Sequence, residues 1–139
     1  MKKELEEKFI EVAPVFLQDM YGDMMKTCMT WGFECGDGWF DPLLKAMIAI
    51  EAVNKRSKGK FIADQIKSKY AELRIYWHST EGTTKEEEDE IDKIIAQAED
   101  DCYAVCELCG QPAIKTTTGW LTRVCKDHDR DFNIGENAL

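Results

Sequence analysis

Four residues near the C-terminal end of the chain have the types and the spacing of a metal site. Two residues separate Cys106 from Cys109 in CELCG, and two separate Cys125 from His128 in CKDH. Thiolate and imidazole groups are ligands that Zn²⁺ takes in tetrahedral sites, and four protein ligands leave no position for water. The spacing therefore predicts one zinc ion with a structural, not a catalytic, role.

The segments around these residues must bring the two pairs together. Gly110 follows the second cysteine and lets a tight loop turn back, with its amides aimed at the sulfurs. The segment PAIKTTTGWLTRVC is typical of a β-hairpin that turns near Thr118-Gly119. Cys125 and His128 would then share one face of a first helical turn. A loop, a hairpin and a helix start in this order predict a module over residues 102–139 that resembles a treble-clef finger.

Two other interpretations of the cysteines stay open. They could be ordinary buried thiols, or CELCG could hold a redox pair, although a thioredoxin-like pair follows a strand and precedes a long helix. Cys102 could also replace one of the four ligands. Its place in the apolar stripe formed with Ile91, Ile95 and Ala98 favours a core position instead.

A second candidate site is the segment FECGDGWFDP, where Cys35 precedes a Gly-Asp-Gly turn. Glycines tolerate backbone angles that other residues avoid, so a sharp corner is expected here. A nucleophilic thiol needs a base, and only His78 is left once His128 is assigned to zinc. A second metal site built on Cys28 and Cys35 would need two further ligands. The segment is therefore predicted to be a corner that holds a buried thiol.

Large aromatic residues could form a binding surface near this corner. Trp39 and Trp120 directly follow glycines, and arginines nearby could neutralise an anionic group on a flat ligand that stacks on the rings. Alternatively, the rings fill the junction between the helical part and the zinc module. The residues predicted for this ligand or partner surface are Cys35, Asp37, Trp39, Arg74, Tyr76, Trp120 and Arg123.

The apolar periodicity predicts an α+β fold in which helices surround a small antiparallel sheet. Helical spacing runs from Leu5 to Met20, and Pro14 is expected to kink this helix or to begin a second one. Asp41 and Pro42 have the types of an N-cap and a first helical residue, and Gly59 is expected to end that helix.

The middle of the chain predicts one more helix, a strand and a long acidic helix. Apolar residues between Phe61 and Tyr70 suggest a short helix, and alternation in LRIYWHS predicts a strand near residues 73–79. Thr84 with Glu87 three residues on has the pattern of a capping box. Residues 1–101 are therefore predicted to form a mainly helical domain, with the zinc module packed on it in one compact unit.

Charge and composition restrict the class of protein. The net charge is −9, and residues 81–101 alone contribute −8, so the other surfaces are nearly neutral. Acids follow Lys2 and Lys3 where a signal peptide needs apolar residues, and no apolar stretch is long enough to span a membrane. A reducing cytoplasm is therefore expected, where paired cysteines are more often metal ligands than disulfides.

Three separated segments, FECGDGW, KYAELRIYW and CELCG…GWLTRVCKDH, resemble a group of small zinc-binding proteins of tailed phages and prophages. The resemblance covers the chain from about Trp31 to His128. It departs at Tyr70-Ala71-Glu72, where a glycine-rich approach to the strand is expected. The resemblance implies no activity. It implies a host bacterial cytoplasm during infection and an accessory role in countering a host defence system.

These observations favour a non-enzymatic protein that is stabilised by zinc and that inhibits a host protein or sequesters a small nucleotide-like signal. Two alternatives follow from charge: a nucleic-acid-binding zinc finger that uses basic residues of the module, and an acidic DNA mimic that uses the helix at residues 85–101. An enzyme that binds a divalent ion through Glu34, Asp37 and Asp41 is a further alternative. The basic residues considered for the nucleic-acid-binding alternative are Lys115, Arg123, Lys126 and Arg130.

Overall fold

The computed structural model describes residues 1–131, which form three α-helices, a three-stranded sheet and a two-stranded sheet. The chain end at residues 134–139, for which fraying is predicted, lies outside this part. The elements are α1 (Lys3–Val12), β1 (Phe33–Glu34), α2 (Phe40–Arg56), β2 (Phe61–Lys69), β3 (Glu72–Ser79), α3 (Lys85–Tyr103), β4 (Lys115–Thr116) and β5 (Arg123–Val124). This content confirms the mixed α+β class.

The larger sheet is mixed, which corrects the prediction of an antiparallel sheet. Its strand order is β1-β2-β3, and β2 pairs with β3 in antiparallel fashion. The short strand β1 lies parallel to β2, with Phe33 opposite Ile66 and Glu34 opposite Lys67. This pairing carries the chain from the edge of the sheet directly into the FECGDGW corner.

The helix predicted between Phe61 and Tyr70 is wrong, because this segment is strand β2. Its register with β3 shifts between Ala63 and Gln65, where a β-bulge adds one residue. The bulge changes which residues face the core, so that Phe61 and Ala63 are buried before it and Ile66 after it. The resulting three-residue gap between buried positions imitates the spacing of a helix. The neighbouring strand is confirmed, since Leu73 and Ile75 of β3 are buried.

α1 ends and α2 begins at residues that differ from the prediction, whereas α2 ends at Arg56, close to the predicted stop before Gly59. α1 stops at Val12, and residues 14–21 form turns rather than a continued or a second helix. The side chain of Glu51 on α2 fixes these turns by accepting hydrogen bonds from the amides of Val15 and Phe16 at 3.1 and 3.2 Å. α2 starts at Phe40 with Trp39 as its N-cap, so Asp41 belongs to the first turn and is not the cap.

The acidic helix α3 confirms its predicted start and its predicted buried stripe. The Thr84 hydroxyl accepts a hydrogen bond from the Glu87 amide at 3.1 Å, and the Glu87 carboxylate accepts one from the Thr84 amide at 2.9 Å. The apolar face of α3 packs against α2 and β3. The residues predicted for this face are all buried: Ile91, Ile95, Ala98 and Cys102.

The main core lies between the helices and the three-stranded sheet, and a small second cluster of Cys106, Val124 and Cys125 lies in the C-terminal module. α3 continues across the predicted boundary after residue 101 and ends at Tyr103, three residues before the first predicted metal ligand. Within residues 1–131, no helix combines the length and the apolar composition that crossing a membrane requires.

Candidate metal centre

The side chains of Cys106, Cys109, Cys125 and His128 converge at one point of the C-terminal module. Their three sulfurs and the imidazole nitrogen all lie within 4.8 Å of one another. The Cys109 and Cys125 sulfurs are 3.6 Å apart, and the Nδ1 atom of His128 lies 3.2 Å from the Cys125 sulfur and 3.6 Å from that of Cys106. The four predicted ligands are therefore close enough to hold a metal ion.

The backbone around each cysteine pair forms the turns that this convergence requires. In CELCG, the Gly110 amide donates to the Cys106 carbonyl at 2.9 Å, and Gly110 takes a positive φ of 81°. Glycine adopts this left-handed conformation without steric penalty. The amide of Gln111 then donates a hydrogen bond to the Cys109 sulfur. The knuckle predicted from the sequence thus forms, with an amide directed at a sulfur.

The second pair is presented by a short hairpin and a 3₁₀ turn. Strands β4 and β5 pair in antiparallel register, with Lys115 opposite Val124, and the chain then enters a 3₁₀ turn over Lys126–His128. The amide of His128 donates to the Cys125 carbonyl at 3.2 Å and also to the Cys125 sulfur. The hairpin is confirmed; Cys125 and His128 are joined by a 3₁₀ turn, and α-helical backbone follows at residues 130–131.

Three of the six distances between the ligand atoms are close to the edges of a tetrahedral site, and all six lie within 4.8 Å. Metal–sulfur bonds of about 2.3 Å in a tetrahedron give sulfur–sulfur edges of about 3.8 Å. The measured sulfur–sulfur distance of 3.6 Å and the sulfur–nitrogen distances of 3.2 and 3.6 Å are close to such edges. The donor set and its geometry therefore fit a small tetrahedral cation.

The electrostatics around Cys125 favour the thiolate that a metal needs. Burial alone would raise the pKa of this thiol, but hydrogen bonds from His128 and the neighbouring cysteines outweigh burial and lower the pKa to about 7. A thiolate is the form of cysteine that binds metal ions. At the neighbouring Cys109 a backbone hydrogen bond from Gln111 is outweighed by burial and by hydrogen bonds to Cys125 and Cys106, which raise the pKa, so the thiolate is favoured at Cys125 and not at Cys109.

The FECGDGW corner packs directly against the backbone of the CELCG knuckle. The Gly38 amide donates to the Glu107 carbonyl at 2.8 Å, in the loop between the first two ligands. A Cβ atom on Gly38 would overlap the Cys106 carbonyl oxygen and would lie only 2.7 Å from the Cys109 nitrogen. Backbone contacts this close require glycine. The corner predicted from the sequence is thus confirmed, and its structural role is to hold CELCG.

The Glu107 side chain joins this corner to the sheet. Glu107 is buried, and its carboxylate accepts hydrogen bonds from the Gly36 amide at 2.9 Å and from the Ser68 hydroxyl of β2 at 2.8 Å. Its own amide donates to the Arg123 carbonyl at 2.9 Å. A buried carboxylate is stable only where hydrogen bonds replace its hydration, and here they come from the corner and the sheet. One residue therefore connects the corner, the sheet and the module.

The two remaining core thiols have the character of structural cysteines. Burial, with a smaller contribution from the Glu107 charge, raises the pKa of Cys35. Burial followed by the proximity of Cys35 raises the pKa of Cys102. Both thiols therefore stay protonated near neutral pH and are poor nucleophiles. Cys102 lies in the main core as predicted, and not among the converging ligand atoms.

The residues predicted for a single ligand or partner surface do not come together. Trp39 is fully buried in the main core, so its prediction as a surface residue is wrong.

The other predicted surface residues lie at separate places. Asp37 accepts a hydrogen bond from the Lys2 amide at 2.9 Å, and Arg74 forms an ion pair with Glu72 at 2.9 Å. Tyr76 lines a depression with Met24 and Met25, whereas Trp120 lines a different one. Cys35 packs against the core, and Arg123 stacks on Tyr103 with its guanidinium carbon 4.0 Å from the ring centre.

The basic residues of the module are largely engaged in internal contacts. Lys115 forms ion pairs with Asp129 and Asp131 at 3.3 and 3.4 Å. Arg130 donates to the Thr118 carbonyl at 2.8 Å and also to that of Trp120, and Arg123 donates to the Tyr103 carbonyl at 2.9 Å. Three of the four basic groups considered for phosphate contacts are therefore already occupied within the module.

A groove lies between the module hairpin and the β2–β3 hairpin. It has a volume of about 610 Å³, and its walls carry two lysines and two exposed aromatic rings. Trp120 is 81% exposed and Tyr70 is 69% exposed. The residues that line it are Glu34, Lys67, Ser68, Lys69, Tyr70, Gly119, Trp120 and Leu121. Of the predicted surface residues, only Trp120 belongs to this groove.

The sequence analysis misses Tyr70, Lys67 and Lys69 as groove residues because it assigns their segment to a helix. In a strand, Lys67 and Lys69 point to the same side, and Tyr70-Ala71 is the two-residue connection of a hairpin. The sequence carries little signal here, because apolar and polar residues alternate only from Leu73 onwards, in β3. The departure from a glycine-rich approach at Tyr70-Ala71 marks the same place.

Comparison of the chain with protein-family models, with curated proteins and with solved structures gives no match. The function must therefore be inferred from the geometry of the metal centre and of the groove beside it.

Proposed function

We propose that the protein is a non-enzymatic binding protein whose C-terminal module is stabilised by one structural zinc ion and resembles a treble-clef finger. The observation that carries this proposal is the convergence of three cysteine sulfurs and one imidazole nitrogen within 4.8 Å of one another. Four protein ligands fill the coordination shell, so the metal has no position left for water or substrate.

The donor set supports zinc over other metals. Three thiolates and one imidazole in a tetrahedron suit zinc, whereas oxygen ligands in larger shells suit magnesium and calcium. Iron–sulfur clusters are most often held by four cysteines. When bound, zinc supplies cross-linking: it joins the knuckle to the turn that follows β5.

Binding is favoured over catalysis by the state of the other reactive groups. The raised pKa of Cys35 keeps its thiol protonated, and His78 is paired with Asp64 at 2.7 Å across the β2–β3 hairpin. By contrast, several large apolar side chains are exposed, and such groups are typical of interaction surfaces when they cluster. The Trp120 groove and the Met24–Met25 depression are two such clusters.

Native mass spectrometry of the untagged chain, purified without chelator, tests the proposal. The expected spectrum shows one zinc ion per chain. Cys106→Ser and Cys125→Ser should each remove the zinc and lower the melting temperature. Cys28→Ser is the matched control, because Cys28 is exposed and lies outside the ligand cluster. A chain without metal, or full zinc occupancy in both ligand variants, contradicts the proposal.

A second candidate partner is a host protein, in line with the resemblance to phage accessory proteins. The observation that favours it is the depression lined by Met24, Met25 and Tyr76, since flexible methionine side chains adapt to partner surfaces. An inhibitory complex should weaken when Met24 and Met25 are both replaced by serine. Size-exclusion chromatography with the captured host protein measures this, and an unchanged complex contradicts a role of the depression.

The two charge-based alternatives have less support. The module offers few free cations for nucleic acid, and most acids at the start of α3 are engaged within the chain. Two of these acids accept hydrogen bonds: Glu87 from the Thr84 amide and the Ser57 hydroxyl, and Glu88 from the Ser79 hydroxyl at 3.4 Å. Two others form ion pairs: Asp89 with Lys85 at 2.9 Å, and Glu90 with Arg56. A regular row of free charges, as in a DNA backbone, is not formed by this part of α3.

A further inference from the structure

We infer that the groove between the β2–β3 hairpin and the module hairpin binds a nucleotide, with the base stacked on Tyr70 or Trp120 and the phosphate bound by Lys67 and Lys69. The inference rests on the proposed function, because it names the ligand of that binding protein. Its volume of about 610 Å³ lies within the range of small-molecule sites, roughly 300–1,000 Å³.

The rings of Tyr70 and Trp120 are accessible for stacking and contribute little to the stability of the fold. Both belong to hairpin connections, Tyr70 on the sheet side and Trp120 on the module side, and both are mostly exposed. An exposed ring contributes little to the core, whereas it offers a flat face to a base, and every base has a matching face. Trp120 follows Gly119, whose added Cβ would meet nothing within 4 Å, so the module side of the groove is open.

The backbone at Tyr70 indicates a functional reason for this residue. Tyr70 and Ala71 have positive φ values of 55° and 66°, as in the type I′ connection of a hairpin, where asparagine and glycine are favoured. Tyrosine is unfavourable in this conformation, and its exposed ring recovers little by burial. Strained residues are concentrated at ligand sites. Contact between Tyr70 and a ligand would explain why a residue that is unfavourable in this backbone conformation stands here.

The two lysines supply a site for an anion. Lys67 and Lys69 lie two residues apart on β2 and line the same groove, and neither forms an ion pair with a carboxylate of residues 1–131. The ammonium of Lys69 lies 5.6 Å from the centre of the Tyr70 ring. A phosphate bound here would sit directly beside a stacking platform, which is the arrangement of base and phosphate in a nucleotide.

Glu34 gives the groove a hydrogen-bond acceptor as well. It lies opposite Lys67 in the parallel pairing of β1 and β2, and Gln65 donates to it at 3.3 Å. A carboxylate accepts hydrogen bonds from ribose hydroxyls or from an exocyclic amino group of a base. The groove thus combines the three kinds of contact that distinguish a nucleotide from a simple anion.

A single nucleotide fits the charge better than a nucleic acid strand. Binding of a strand needs a basic path along several phosphates, but the groove has two lysines and the chain carries a net charge of −9. The two arginines that follow Trp120 in the module, Arg123 and Arg130, are engaged with backbone carbonyls. We therefore assign the site to a free nucleotide.

Isothermal titration calorimetry of the full chain with AMP, GMP, CMP and UMP tests the inference. At least one of the four should bind, and its matched nucleoside should bind more weakly because it lacks the phosphate. Tyr70→Ala and Trp120→Ala should weaken binding by about 5- to 100-fold for whichever ring stacks on the base. Lys67→Ala combined with Lys69→Ala should remove the difference between nucleotide and nucleoside. Trp31→Ala and Lys55→Ala are controls, since both residues are exposed and neither lines the groove.

The outcomes separate this inference from the proposed function. Zinc content is measured on the same sample. A zinc-containing chain that binds none of the four nucleotides overturns the inference and leaves the proposed function in place. Binding of oligonucleotides without binding of any mononucleotide also overturns it, in favour of a strand. Nucleotide binding by a chain that holds no metal overturns the zinc proposal alone.

Discussion

The amide of Gly38 donates a hydrogen bond of 2.8 Å to the carbonyl of Glu107, a residue that lies between two of the metal ligands. The FECGDGW corner and the CELCG knuckle are therefore two halves of one structure. Each half supplies what the other lacks: the corner supplies amide donors, and the knuckle supplies the oxygens that accept them.

Gly38→Ala should destabilise the protein and reduce its zinc content. Its Cβ would overlap backbone atoms of the knuckle, which cannot move without moving two ligands, and we expect a loss of about 3 kcal/mol in unfolding free energy. Urea unfolding and metal analysis measure both effects. Gly119→Ala is the control: its positive φ of 70° should cost about 1 kcal/mol without loss of zinc. Equal zinc loss in both variants would contradict the role of the FECGDGW corner in holding the CELCG knuckle.

Glu107 and Ser68 should be energetically coupled. The Ser68 hydroxyl donates to the Glu107 carboxylate at 2.8 Å, and hydrogen bonds to charged groups contribute about 1.5–3 kcal/mol. A double-mutant cycle with Glu107→Ala and Ser68→Ala should give a coupling free energy of about 1–2 kcal/mol. Additive effects of the two substitutions would show that the contact does not join the module to the sheet.

Tyr70→Asn should stabilise the fold while it weakens ligand binding. Asparagine tolerates the positive φ of 55° better than tyrosine does, so the unfolding free energy should rise by about 0.5–1 kcal/mol. Thermal unfolding measures the gain. Trp120→Ala removes a ring that is also exposed but follows a glycine, and its stability should stay unchanged. A destabilised Tyr70→Asn variant would show that the tyrosine is retained for structure.

Stability should decrease at alkaline pH as Tyr21 ionises. Burial, followed by the charge and hydrogen bond of Glu6, raises the pKa of Tyr21 to about 12. The folded state favours the neutral phenol, so this contribution is complete below the unfolded pKa of about 10 and is lost as the pH rises towards 12. Absorbance at the tyrosinate band should show one of the four tyrosines ionising late, and Tyr21→Phe should remove that step. A titration without a late step contradicts the shift.

The candidate metal ligands were predictable because the signal for them is local in the sequence. The spacing of Cys106, Cys109, Cys125 and His128 restricts the chemistry before any fold is known, and the ligands lie in one short stretch. The capping box of α3 is local in the same sense. The contact between the FECGDGW corner and the CELCG knuckle was not predictable, because the acceptors for the Gly36 and Gly38 amides lie about seventy residues further along the chain. Similarly, the bulge in β2 depends on the partner strand β3, and the three-residue gap that it leaves between buried residues has the spacing of a helix.

The distance in sequence between Gly36 and Glu107, 71 residues, has a consequence for the order of events during synthesis. At translation rates of about 5–20 residues per second, the corner leaves the ribosome roughly 4 to 14 seconds before its partner. The Gly36 and Gly38 amides therefore have no Glu107 acceptor until this late part of the chain appears, whereas β1 can pair earlier with β2. The proposed zinc site also forms only at this late stage, so metal starvation is expected to reduce the amount of the protein that accumulates.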